Sequence, residues 1–164
     1  MYVTLSSGGW SNTADFVLRG EDLDADAVTL ALGFEPTDTV DHRGVRADGS
    51  PGRRRAAWSF ESAPACSPED DHLNEHLCWL LDRLEPRAGE LREVIAAQGV
   101  DAEFWCMVKM ESWNVDFELP PSTLARVAAL GACLRLDTYA PKDAEADEFE
   151  VRETEAEANS SDAT

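Results

Sequence analysis

The chain holds 164 residues, about one domain's worth, and a hydrophobic content of 43% is enough to build a core. Its 33 acidic against 14 basic side chains leave a net charge of −19, which disfavours direct binding to a nucleic-acid backbone, because phosphate contacts need a basic surface. No apolar run approaches the roughly 20 residues of a membrane span and no basic-then-apolar leader is present, so a soluble, cytoplasmic protein with no membrane contact is expected.

Residues 15–20 alternate as a strand does, with Phe16 and Leu18 on one side and Asp15, Val17 and Arg19 on the other. A helix is expected next, capped by Asp24, carrying Val28, Ala31 and Leu32 on its apolar stripe and stopped by Gly33. Strands near 38–45 and 56–62 flank a Gly- and Pro-rich loop, and Trp58 and Phe60 share one face of the second. The clearest helix is predicted from Ser67, with Pro68 at its first position and a core stripe of Leu73, Leu77, Leu80, Leu81 and Leu84. Pro86 predicts a kink or a break before Leu91, Val94 and Ile95, and Gly99 ends the pattern.

Alternation returns over 102–111, placing Phe104, Cys106, Val108 and Met110 opposite Glu103, Trp105, Met107 and Lys109. A turn at 112–114 is expected to lead to a partner strand carrying Val115, Phe117 and Leu119. Pro120 and Pro121 open a last helix with Leu124, Val127, Ala128 and Leu130, Gly131 ends it, and a strand follows over 133–139. Strand, helix, Leu-Gly and strand thus occur at 15–45 and again at 114–139.

The expected fold is α+β: a two-layer sandwich in which helices pack on one face of a mostly antiparallel sheet, built from pseudo-symmetric strand-helix-strand halves. Residues 1–142 form its single globular domain. Residues 143–164 carry nine acids against one arginine, a net −8 that leaves −11 for the rest, and read as a disordered acidic tail. Cys66, Cys78, Cys106 and Cys133 lack any C-x-x-C spacing, so free thiols in a reducing compartment are expected rather than a zinc or redox site.

Several short segments recur in a known order: Gly20-Glu21-Asp22-Leu23-Asp24, Leu32-Gly33-Phe34-Glu35-Pro36-Thr37, Trp58-Ser59, Leu84-Glu85-Pro86, and Leu130-Gly131 through Tyr139. Together they resemble the bacterial proteins grouped as domain of unknown function 4279, over roughly residues 14–140. The resemblance implies a compact bacterial domain and brings no catalytic residues with it.

Four groups of side chains stand out as candidate sites. His72 and His76 lie four apart on the long helix, a spacing that can present two rings to one metal ion, although no third ligand accompanies them. Asp116 and Glu118 share a face if their segment is a strand, and with Glu103 and Asp137 they offer carboxylates for Mg²⁺ or for acid–base work. Trp105, Met107 and Tyr139 fall on that same outer face, with Trp113 in the adjoining turn, which gives aromatic anchors ringed by charge as in a protein interface. Arg43, Arg46, Arg53, Arg54 and Arg55 concentrate in the loop before Trp58, where they suit an anion or the chain's own acidic tail.

These features point to a binding domain without cofactor whose partner is another, basic protein. Strong acidity, an aromatic-plus-acid face and the lack of a catalytic constellation fit an immunity-type inhibitor of a basic toxin or nuclease. The alternatives are a metal-dependent hydrolase using the His pair or the carboxylates, and a structural or regulatory module of a larger assembly. Oligomeric state leaves no mark in the sequence.

Overall fold

The alternation around Phe16 and Leu18 extends further than its strongest segment, and the strand it forms is the centre of the sheet. A computed structural model describes residues 10–41, 45, 46, 49, 55–68, 72–110 and 117–139. The strands are β1 (Trp10–Gly20), β2 (Asp38–Val40), β3 (Ala56–Glu61), β4 (Asp101–Met110) and β5 (Cys133–Tyr139). The helices are α1 (Ala25–Leu32), α2 (Leu73–Leu84), α3 (Ala88–Gln98) and α4 (Pro121–Ala129). The sheet order is β2-β3-β1-β4-β5, antiparallel throughout except for the parallel pair β4 and β5. This is the expected α+β sandwich, and no helix among the described residues is long and apolar enough to cross a membrane.

Both halves are strand-helix-strand units. In the first, β1-α1-β2, strand β3 is inserted between the two strands; in the second, β4-α4-β5, they are neighbours. The second unit therefore begins on β4 and not on the segment after residue 112. The turn expected at 112–114 and Val115 lie outside the described residues, and both edges of β4 are paired, by β1 and by β5, which leaves no edge for a further hairpin strand. Phe117 and Leu119 lie outside any strand and pack against the core instead.

The even-numbered residues of β1 and β4 meet the helices. Phe16, Leu18, Phe104, Cys106 and Val108 are fully buried against Leu73, Leu77, Leu80, Leu81 and Leu84 of α2, with Leu91 from α3 and Trp58 from β3. The rings of Phe16 and Phe104 sit 5.1 Å apart. Each such side chain contributes roughly 1.5–3 kcal/mol by leaving water, so this one apolar layer supplies most of the driving force.

Local signals place the helix ends with one exception. Asp24 caps α1 by accepting the Ala27 N–H at 3.0 Å, and Gly33 ends it at φ 75°, a conformation that suits a residue without Cβ. Pro86 breaks the long helix as expected, leaving a 3₁₀ turn over Glu85–Arg87 between α2 and α3. The start of α2 is displaced from Ser67 to Leu73. A helix from Ser67 would give the Pro68 carbonyl to the His72 N–H, but that carbonyl accepts the Asn12 N–H of β1 at 2.8 Å. His72 becomes the cap residue, and its N–H donates to Glu75 Oε2 at 2.7 Å.

Helix α4 buries Thr123 and Val127, with Leu130 just beyond its end, while Leu124, expected inside, is 43% exposed. Thr123 is held by a hydrogen bond from its hydroxyl to Asn74 Oδ1, 2.7 Å long. Burial therefore separates two leucines that the sequence treats alike. Leu80→Ala should lower the unfolding free energy by about 2–5 kcal/mol, whereas Leu124→Ala should change it by less than about 1 kcal/mol. Urea denaturation of the two variants measures this directly.

Candidate functional site

Period-two geometry turns the odd-numbered residues of β1 and β4 away from the helices. On that outer face Val17, Val40 and Ala57 form a second buried cluster, and Trp105 packs on it. No helical residue joins this cluster among those described. Above it lies a half-open groove of about 260 Å³, walled by Thr13, Asp15, Arg19, Asp38, Arg46, Ser59, Glu61, Met107 and Tyr139.

Most charges of the face are compensated. Glu103, 6% exposed, receives Arg19 Nε at 2.6 Å on one oxygen and Arg135 Nε at 3.0 Å on the other. The same two guanidinium groups lie over the Trp105 ring, 5.0 and 5.7 Å from its centre, where the ring quadrupole attracts them. Arg46 pairs with Asp38 at 3.2 Å, and the Tyr139 hydroxyl donates to Asp137 at 2.9 Å.

Asp15 and Glu61 are the exception. They stand directly opposite each other on β1 and β3, and neither is in an ion pair among the described residues. Burial first, and then the neighbouring Glu61 charge, push the Asp15 carboxyl from its ordinary 3.8 up to about 7, against a partial offset from Arg19. Behind it, on the core side of β4, burial and the Asp15 charge push the Cys106 thiol up to about 12. That thiol stays protonated and unreactive at neutral pH.

The structure brings Trp105, Met107, Asp137 and Tyr139 together on this face, as the alternation predicts. Trp113 and Asp116 lie outside the described residues. Glu118 is exposed on a segment that is not a strand, so it does not share the sheet face with Asp137. Of the loop arginines, Arg46 walls the groove and Arg55 pairs with Asp101 at 3.2 Å, while Arg43, Arg53 and Arg54 lie outside the described residues, as does the tail.

The two histidines are separated by environment. His76 is fully buried, with Nδ1 2.7 Å from Ser62 Oγ and Nε2 3.3 Å from the Ser67 carbonyl. Ser62 Oγ also accepts the Ala14 N–H at 3.1 Å, which joins β1 to the same contact. Both nitrogens are therefore engaged in tying the loop after β3 to α2. His72 is exposed at the helix cap. Among the described residues no group of three histidine, cysteine or acidic side chains is placed to hold a metal ion.

Sequence reasoning places Asp15 on the outer side of its strand but not beside Glu61. The available signal is a lone acid within an otherwise apolar strand, Ala14-Asp15-Phe16-Val17-Leu18. Its partner is 46 residues away, and only the β1–β3 register joins them.

A family model described as Domain of unknown function (DUF4279) matches residues 11–141, and the chain belongs to that family. No curated protein and no solved structure matches it.

The raised Asp15 pKa fixes the sign of a pH effect on stability. Between about pH 4 and pH 7 the folded protein keeps a proton that the unfolded chain releases, so stability falls as pH rises through that window. Asp15→Asn should leave stability unchanged near pH 4 and raise it at pH 8 by about 2–4 kcal/mol. Urea denaturation at the two pH values checks both arms.

Proposed function

We propose that this chain is a bacterial, cytoplasmic protein-binding domain that neutralises a basic partner through the outer face of its sheet, as an immunity-type inhibitor of a basic toxin or nuclease. The observation that carries the reading is the groove on the outer face of the sheet, where Trp105, Met107 and Tyr139 lie beside Asp15 and Glu61, two acids that make no ion pair among the described residues. The two aromatic side chains, large and rigid, give contact area at low entropic cost, the flexible Met107 adapts to what lies against it, and acids without an ion pair select cationic partners. A net charge of −19 supports the same reading at long range, because it accelerates encounter with a basic surface. A toxin that handles nucleic acid must itself be basic where it meets phosphate, so an acidic face competes for that surface.

Substitution at the groove wall tests this. Thr13 is half-buried and its hydroxyl makes no hydrogen bond among the described residues, so Thr13→Arg adds bulk and positive charge at the groove without removing a hydrogen bond. Native mass spectrometry of protein isolated from its own cells at low salt should show a complex with a basic protein. That complex should weaken about tenfold or more between 50 and 200 mM salt, and should be lost in Thr13→Arg while the fold persists by circular dichroism. A complex that tolerates both changes places the partner elsewhere.

A further inference from the structure

We propose that Asp15 and Glu61 form a socket for one arginine side chain of the basic partner, an inference that rests on the binding reading above and names its central contact. The first ground is a charge census. Arg19 and Arg135 share Glu103, Arg46 takes Asp38, Arg55 takes Asp101 and Asp137 accepts the Tyr139 hydroxyl, so that among the described residues Asp15 and Glu61 are the two acids of the groove with neither an ion pair nor a side-chain hydrogen bond. The second is register. The two residues are direct partners on neighbouring strands, which run about 4.8 Å apart, and both side chains project to the outer face. Two carboxylates at that spacing suit a planar guanidinium, which can donate to both at once, better than an ammonium, which acts as a point charge.

The third ground is the surrounding surface. Along the row, Asp15 is flanked on its other side by Trp105, and Val17 and Met107 occupy the adjacent rows of the groove. These apolar groups cover the methylene stem of an arginine and exclude water from its head, where a charge-assisted hydrogen bond is strongest. The groove is also sized for a side chain, at about 260 Å³, rather than for a folded segment. The acidic tail is the wrong sign for this place.

The groups that face Asp15 are Arg19 on its own strand, Glu61 on β3, Glu103 and Trp105 on β4, and Arg135 beyond them on β5. Only a new cation changes the balance they set. Its arrival displaces the proton that Asp15 retains near neutrality, so binding and proton release are coupled.

The test is calorimetric titration of the full chain with a hexa-arginine peptide at pH 7 and 0.15 M salt, which screens the tail, in two buffers of different ionisation enthalpy. The wild type should bind and release about half a proton per peptide, the fraction of Asp15 still protonated at that pH. Asp15→Asn and Glu61→Gln should each weaken binding about tenfold or more, Asp15→Asn should abolish the release, and hexa-lysine should bind more weakly than hexa-arginine. Equal affinity in both variants with no proton release overturns the socket while leaving the binding reading intact, because Thr13→Arg tests that reading against the native partner. A wild type that fails to bind while a variant lacking Arg43, Arg53 and Arg54 does bind also overturns it, since the socket then belongs to the chain's own loop.

Discussion

Ten consecutive residue pairs lock β1 to β4 in a single antiparallel register, and both faces of the molecule follow from that alignment. A slip of one residue would turn one strand over relative to the other, exchanging either Phe16 and Leu18 for Asp15 and Val17 or Phe104 and Cys106 for Glu103 and Trp105 on the side where α2 packs. The leucines of α2 would then meet a carboxyl group and lose half of their apolar partners, a cost that is a large fraction of the stability of a domain of this size. The dry face therefore specifies the register, and the register delivers the outer face as a consequence. Placement of Asp15 between Glu61 and Trp105 needs no interaction of its own to hold it, because the core on the other side of the same strand does so.

That arrangement explains how an electrostatically unfavourable pair survives in a folded protein. Glu103 is buried but has a guanidinium on each oxygen, so its desolvation is offset at short range. Asp15 has no such partner among the described residues and answers by holding its proton toward neutrality. The groove thus contains one carboxylate that is locked and one pair that is poised. Arg19 illustrates the division: its Nε bonds Glu103, and its charge lowers the Asp15 pKa only in part. Trp105 adds rigidity, since a ring in contact with both Arg19 and Arg135 and packed on Val17, Val40 and Ala57 presents a fixed surface to whatever enters the groove.

Much of the fold was legible because its signals are local. The alternation of Phe16 and Leu18, the leucine stripe of α2, the Asp24 cap, the Gly33 stop and the break at Pro86 each depend on residues within one or two turns of one another. The failures share the opposite character. Ser67 and Pro68 form a good helix start by local rules, yet the Pro68 carbonyl is claimed by Asn12, more than fifty residues earlier in the chain. Phe117 and Leu119 alternate like a strand, yet β5 already occupies the edge of β4 they would need. The site divides in the same way. Trp105, Met107, Asp137 and Tyr139 lie on strands whose alternation is visible, so their common face could be read; Asp15 and Glu61 meet only through pairing of strands distant in sequence.

The net charge and the socket act over different distances and do different work. At physiological salt a charge is screened beyond about 8 Å, so under the proposed reading the overall acidity would guide a basic partner toward the surface and set the rate of encounter without choosing an orientation. Orientation requires a feature that one side chain can find. The groove supplies it, because the carboxylates there are partly desolvated before any partner arrives and the apolar residues around them are held by the sheet. Under the proposed reading, acid on the tail and the surface governs association, while the Asp15–Glu61 pair and Trp105 govern how long the complex lasts.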